Sequence, residues 1–97
     1  MSQTQRDTRS DAALEGAVTI DGVTHRCRVK NISFKGAQLS TDALIEKDAK
    51  VSLTIEPFGS VLGLVKWNAK NKSGIEFKDR PQVIEDMIMG LASYSML

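Results

Sequence analysis

The chain has 97 residues, 41% hydrophobic and 26% charged, with a formal net charge of +1 at pH 7. That length holds one globular domain and no second core. The near-neutral balance excludes a nucleic-acid polyelectrolyte, so an anion site must come from local clustering of cations. A single cysteine excludes an internal disulfide, the longest apolar runs are too short to span a bilayer, and the polar stretch Met1 to Ala12 has no apolar core of the secretory kind. The expected compartment is the cytoplasm.

Residues 1–13 are polar with mixed charge, including Arg6 and Arg9, and predict a flexible basic arm. Order is expected from Leu14, and residues 14–97 form the single folded domain. Ala17-Val18-Thr19-Ile20, then Asp21-Gly22, then Val23 to Val29 predict a β-hairpin, because Asp-Gly suits a tight turn with positive φ. In the second strand Val23, His25, Cys27 and Val29 share an inner face, and Thr24, Arg26, Arg28 and Lys30 an outer, cationic one. Gly36 to Leu39 predicts a third strand, and alternating Val51, Leu53 and Ile55 a fourth. Glu56-Pro57-Phe58-Gly59 reads as a turn, Val61 to Trp67 as a fifth strand, Asn68 to Ser73 as a polar loop, and Gly74 to Phe77 as a sixth strand. Six short strands joined by turns predict an antiparallel β-barrel.

The chain ends differently. Asp79 with Gln82 three residues on has the form of a capping box. Val83, Ile84, Met87, Ile88, Leu91 and Ala92 then make a stripe at helical spacing. An amphipathic helix over about residues 80–95 is expected to lie against the barrel or a partner.

Catalytic chemistry is poorly represented. One histidine and one cysteine supply no nucleophile–base–orienter set, and no phosphate loop or dinucleotide fingerprint is present. His25 and Cys27 are two apart on the inner face, but zinc needs about four ligands and no second pair accompanies them, so no metal site is expected. Cys27 reads as a small buried hydrophobe, and Trp67, at a strand end, as core. The Asn31-Ile32-Ser33 glycosylation pattern carries no weight without a secretion signal. A non-enzymatic binding module is the expected class.

Asn31-x-Ser33-x-x-Gly36 resembles the D/N-x-S-x-x-G signature of PilZ domains. Leu64-Val65-Lys66-Trp67 and Gly74-Ile75-Glu76-Phe77 resemble the late strands of that family, and the plan of arginine arm, six strands and helix is also PilZ-like. The resemblance covers roughly residues 5–78. It implies a six-stranded β-barrel with a C-terminal helix that binds cyclic di-GMP, a bacterial second messenger, with no resident cofactor. It also implies that arginines of an R-x-x-x-R element contact guanine edges and phosphates, while the D/N-x-S-x-x-G residues line the ligand surface. Here Arg6 and Arg9 are three apart, not four. With Arg9 in the second place Gln5 occupies the first; with Arg6 in the first place Ser10 occupies the second. The implied site is therefore Gln5, Arg6, Arg9, Asn31, Ser33 and Gly36, with Arg26 and Arg28 as auxiliary cations.

The residue chemistry is compatible with that ligand. Arginine pairs bidentately with phosphate or with the O6/N7 edge of guanine, and stacks on bases. Asn31 and Ser33 offer polar contacts, and Gly36 leaves the backbone bare. All three are also turn formers, and the two roles coexist. A downstream protein partner is expected for such a receptor. A second reading is a degenerate adaptor that binds a protein partner and no nucleotide, using the helix around Met87 and Leu91. A third, a barrel for single-stranded DNA or RNA, normally needs several exposed aromatics, and the chain has five aromatic residues, most of them expected to be buried.

Overall fold

The computed structural model describes residues 14–95, with side chains to Ser93. The expected arm, with Gln5, Arg6 and Arg9, lies outside the described residues. Six strands, β1 (Leu14–Ile20), β2 (Val23–Lys30), β3 (Gly36–Ser40), β4 (Lys50–Ile55), β5 (Gly59–Ala69) and β6 (Lys72–Phe77), precede one helix, α1 (Pro81–Ser95). All neighbouring strands are antiparallel, and the order β1-β2-β3-β6-β5-β4 closes on itself through β1 and β4. Closure removes the unpaired edges that an open sheet of this size would expose.

Period-two patterning dictates what faces inward. Val18, Val29, Leu39, Leu53, Ile55, Val61 and Val65 are all nearly inaccessible and fill the barrel. Asp21 and Gly22 both take positive φ (52° and 82°), so the first hairpin turns as the Asp-Gly pair requires. β1 and β2 then pair without a slip from Leu14↔Val29 to Ile20↔Val23. Val23, at the hairpin end, is exposed, unlike the other residues of its expected inner face.

Asn68 to Ser73 is not a loop. β5 continues to Ala69, the chain reverses at Lys70-Asn71 with Asn71 at φ 61°, and Asn68↔Ser73 and Ala69↔Lys72 remain paired. Polar composition misleads here because side-chain hydrogen bonds replace apolar contacts. The buried Ser73 hydroxyl donates to Asn68 Oδ1 (2.7 Å), and Asn68 Nδ2 donates to the Ile45 carbonyl (2.7 Å), fastening the β3–β4 connection to the hairpin.

The helix begins one residue later than the capping-box reading places it. Pro81 is its first residue, where a missing N–H costs nothing, and the Arg80 carbonyl accepts from Val83 N (2.9 Å) and Ile84 N (3.2 Å). Asp79 is thus upstream of the cap and Gln82 is not its reciprocal partner. Its carboxylate instead accepts from Leu62 N (3.0 Å) and Arg80 N (2.8 Å), tying the β6–α1 link to β5. These bonds hold the Asp79 carboxyl below its ordinary range, the Leu62 N–H first and the Arg80 N–H next.

Ile84, Met87 and Leu91 join the barrel core as one cluster, with Val83 and Ile88 at its margin, while Ala92 is exposed. Phe58 sits against Gly90, where an added Cβ would lie 2.8 Å from the ring. Met87 (2% exposed) and Leu91 (1%) therefore pack inward and do not form the docking face expected for an adaptor. No helix among the described residues is long and apolar enough to cross a membrane.

Candidate functional site

The β2–β3 connection is built by the residues of the Asn-x-Ser-x-x-Gly pattern. Asn31 follows β2 at φ 53°, a left-handed conformation that asparagine tolerates better than most residues. Ser33 N–H donates to the Gly36 carbonyl (2.8 Å), and Lys35 N–H donates to Ser33 Oγ (3.2 Å), a local side-chain-to-backbone turn. Phe77 N–H donates to the Lys35 carbonyl (2.8 Å), which seats the connection on the end of β6. Gly36 lies opposite Glu76, and a Cβ there would collide with the Ile75 carbonyl oxygen. Only glycine permits this close crossing. Asn31 Nδ2 donates to Gln38 Oε1 (3.4 Å), while the Ser33 hydroxyl proton has no acceptor among the described residues.

These residues form one wall of an open groove of about 410 Å³. Asn31, Ser33, Lys35, Gly36 and Gln38 line one side, and Lys66, Trp67, Gly74 and Glu76 the other. Trp67 is 44% exposed and is not core. The cause is a β-bulge: Val65 pairs with Ile75 and Trp67 with Gly74, leaving Lys66 without an opposite residue. One extra residue reverses the in–out alternation beyond it, so Val65 points inward while both Lys66 and Trp67 point outward. The indole lies over Gly74, where an added Cβ would fall within the ring at Nε1, Cε2 and Cδ1. Phe34, on the connecting turn, is also exposed, so two of the five aromatic residues, most of which were expected to be buried, face solvent.

Among the described residues the groove carries Lys35 and Lys66 with one carboxylate, Glu76. Glu76 Oε1 lies 3.4 Å from Lys78 Nζ and 3.5 Å from Lys66 Nζ. The Lys78 hydrogen bond and charge, then the Lys66 ammonium, hold the Glu76 carboxyl below the usual carboxylate range. Lys35 has no ion pair among the described residues.

Arg26 and Arg28 project from the outer face of β2 as expected, but into a different groove of about 450 Å³ with Glu15, Ser40, Asp42 and Lys72. Register explains the separation. Arg28, Ser40 and Lys72 form one cross-strand row; Lys30, Gln38 and Gly74 form the next; Gly36 and Glu76 pair beyond that. Arg28 Nε is 3.7 Å from Glu15 Oε2, its partner across β1–β2. Cys27 is buried behind this groove, and burial, with the Glu15 charge, pushes its thiol up to about 11. His25 is half-buried. Among the described residues no cluster of three or more His, Cys, Asp or Glu is arranged to hold a metal.

Leu14 pairs with Val29, two residues before Asn31, so the chain enters the barrel beside the Asn31 turn. Lys35, Gln38, Lys66 and Glu76 are groove residues that the sequence reading left out. Gln38 and Glu76 carry a weak signal as outward positions on strands next to the motif, whereas Lys66 and Trp67 depend on the bulge, which has no sequence mark of its own.

Comparison with known proteins agrees with this architecture. The PilZ domain of CeSA from a cellulose-synthesizing bacterium is 13% identical and superposes with a TM-score of 0.63, covering 87% of this chain and 94% of that one. PlzA of Borreliella burgdorferi, solved in complex with c-di-GMP, is 18% identical with a TM-score of 0.57; the match covers 90% of this chain and 38% of PlzA. At such identities the likeness concerns the fold. No curated protein matches the chain. The sequence itself matches the PilZ domain over residues 3–91, nearly its whole length. A closed antiparallel six-stranded barrel with one C-terminal helix, carrying Asn31, Ser33 and Gly36 at the β2–β3 turn, belongs to the PilZ domain family.

Proposed function

We propose that this domain is a cyclic di-GMP receptor that acts by changing shape and surface, with no catalytic role. The observation that carries the reading is the convergence of Asn31, Ser33 and Gly36 with Lys35, Lys66 and Trp67 on one groove, at the point where residues 1–13 join the barrel. Each group suits a part of the ligand. Lys35 and Lys66 attract phosphates, Asn31 and Ser33 supply hydrogen bonds, and bare backbone at Gly36 leaves room for a base. The exposed indole of Trp67 offers a stacking platform worth about 1–3 kcal/mol per base.

Arg6 and Arg9 complete the site. Arg9 is five residues before Leu14, a span of up to about 17 Å in extended chain, enough to bring its guanidinium over the Asn31 turn. The arm closes over the ligand, and its ordering alters contacts with a downstream protein. Family membership and the c-di-GMP complex of PlzA support the choice of ligand. Gln5 stands beside Arg6 and serves the same arm.

Calorimetry with purified protein and cyclic di-GMP tests the reading. Saturable binding at micromolar ligand is expected, and Arg9→Ala should weaken it by about 30-fold, corresponding to roughly 2 kcal/mol for a charge-assisted contact. No heat at tens of micromolar ligand would refute it. The three-residue spacing of Arg6 and Arg9 favours one alternative, a domain that binds a protein partner and no nucleotide. A pull-down whose captured partners do not respond to added cyclic di-GMP would support that alternative.

A further inference from the structure

Attraction of phosphates does not account for a carboxylate in this groove. Among the described residues Glu76 is the only acidic side chain on the groove wall, and it stands among groups suited to an anion. Both lysine contacts are made to its Oε1, at 3.4 Å from Lys78 and 3.5 Å from Lys66. Its Oε2 has no partner among the described residues. The carboxyl is therefore anchored through one oxygen and presents the other. A phosphate is repelled by that oxygen. A base edge bearing two N–H donors is attracted to it.

Guanine has such an edge in its N1–H and N2–H₂ groups; adenine presents an acceptor, N1, at the same place. Glu76 lies two residues along β6 from Gly74, on the same outward face as the Trp67 indole. A base that uses the indole as a platform can therefore turn its Watson–Crick edge toward Glu76. The held-down Glu76 carboxyl stays ionised at neutral pH and remains an acceptor. We infer that Glu76 is a specificity-determining residue of the groove, accepting hydrogen bonds from the Watson–Crick edge of a guanine through its lysine-anchored carboxylate and selecting guanine over adenine. This rests on the cyclic di-GMP reading above and extends it to the choice of base.

The test is calorimetric titration of the wild-type domain, Glu76→Ala and Glu76→Gln with cyclic di-GMP and with cyclic di-AMP. Far-ultraviolet circular dichroism and thermal melting confirm folding, which this surface position should leave intact. The wild type should prefer cyclic di-GMP. Loss of a hydrogen bond to a charged group predicts about 10- to 100-fold weaker cyclic di-GMP binding for Glu76→Ala. Cyclic di-AMP binding should hold or improve, so the preference collapses. Glu76→Gln keeps one acceptor oxygen and should fall between the two. Wild-type or tighter cyclic di-GMP binding by Glu76→Ala, with selectivity intact, overturns the inference, because the carboxylate then only occupies Lys66. Absence of cyclic di-GMP binding by the wild type overturns the receptor reading itself, and the role of Glu76 with it.

Discussion

Gly74 and Trp67 offer a perturbation whose sign depends on context. A methyl group at residue 74 would occupy the same space as the indole ring, whose atoms are the nearest neighbours of the Cβ position. The backbone there does not take a left-handed φ, so Gly74→Ala carries no conformational strain. The ring must leave its seat on β6. Trp67 is 44% exposed, so about half its surface is covered. Half of a large aromatic's ~200–250 Å², at ~25 cal/mol/Å², is worth about 3 kcal/mol if all cover is lost. The alanine returns about 0.5–1 kcal/mol by restricting the unfolded chain. The expected net loss is up to about 2 kcal/mol, reached when all cover is lost, or a melting point lower by up to about 8–16 °C for a domain of this size. Because the chain has one tryptophan, its fluorescence reports the ring directly: emission should move to longer wavelength and acrylamide quenching should rise. In a Trp67→Ala background the collision is gone, so Gly74→Ala should become neutral or stabilising. An unchanged emission spectrum with an unchanged melting point, or the same destabilisation in both backgrounds, would refute the placement of the indole.

Three further outcomes follow from individual contacts. Asn68→Ala removes the bond from this side chain to the Ile45 carbonyl in the β3–β4 connection and leaves the buried Ser73 hydroxyl without its acceptor; urea denaturation should show a loss of about 1–3 kcal/mol with little change in m-value. Asp79 has a folded-state pKa held below its ordinary 3.8, so its contribution is present at neutral pH and lost as pH falls through the folded value. Asp79→Asn should therefore be less stable than wild type at pH 7, with the two curves converging as pH falls below the ordinary 3.8 and through the lower folded value; a gap that stays constant with pH would contradict the Leu62 and Arg80 contacts. Cys27, buried with its thiol pushed up to about 11, should react with a thiol reagent at pH 8 only through opening of the barrel, and rapidly in urea.

Much of the barrel is legible in the chain because its strands are half-buried and alternate cleanly. Val18, Cys27, Val29, Leu53 and Val61 face inward as period two demands, and Asp21-Gly22 marks its own turn. Asn31, Ser33 and Gly36 are equally legible, since turn chemistry and close crossing restrict those positions to few residue types. Legibility fails where a single backbone event changes the register. The bulge at Lys66 sends Trp67 to the outer face, although strict alternation from Val61, Gly63 and Val65 places it in the same inward row. It fails again at Asn68–Ser73, where hydrogen bonds hold a hairpin of polar residues, and at Asp79, whose carboxylate serves β5 in place of the helix. The separation of Arg26 and Arg28 from the Asn31 groove is likewise a matter of strand pairing, visible only once β3 is set between β2 and β6.

Amide NMR of the full chain titrated with cyclic di-GMP tests the central claim most directly. The receptor account predicts saturable shifts at Asn31 to Gly36, Gln38 and the Trp67 indole N–H, with the Arg6 and Arg9 amides responding in step. A spectrum unmoved at saturating ligand would contradict it, as would shifts confined to the groove of Arg28 and Lys72.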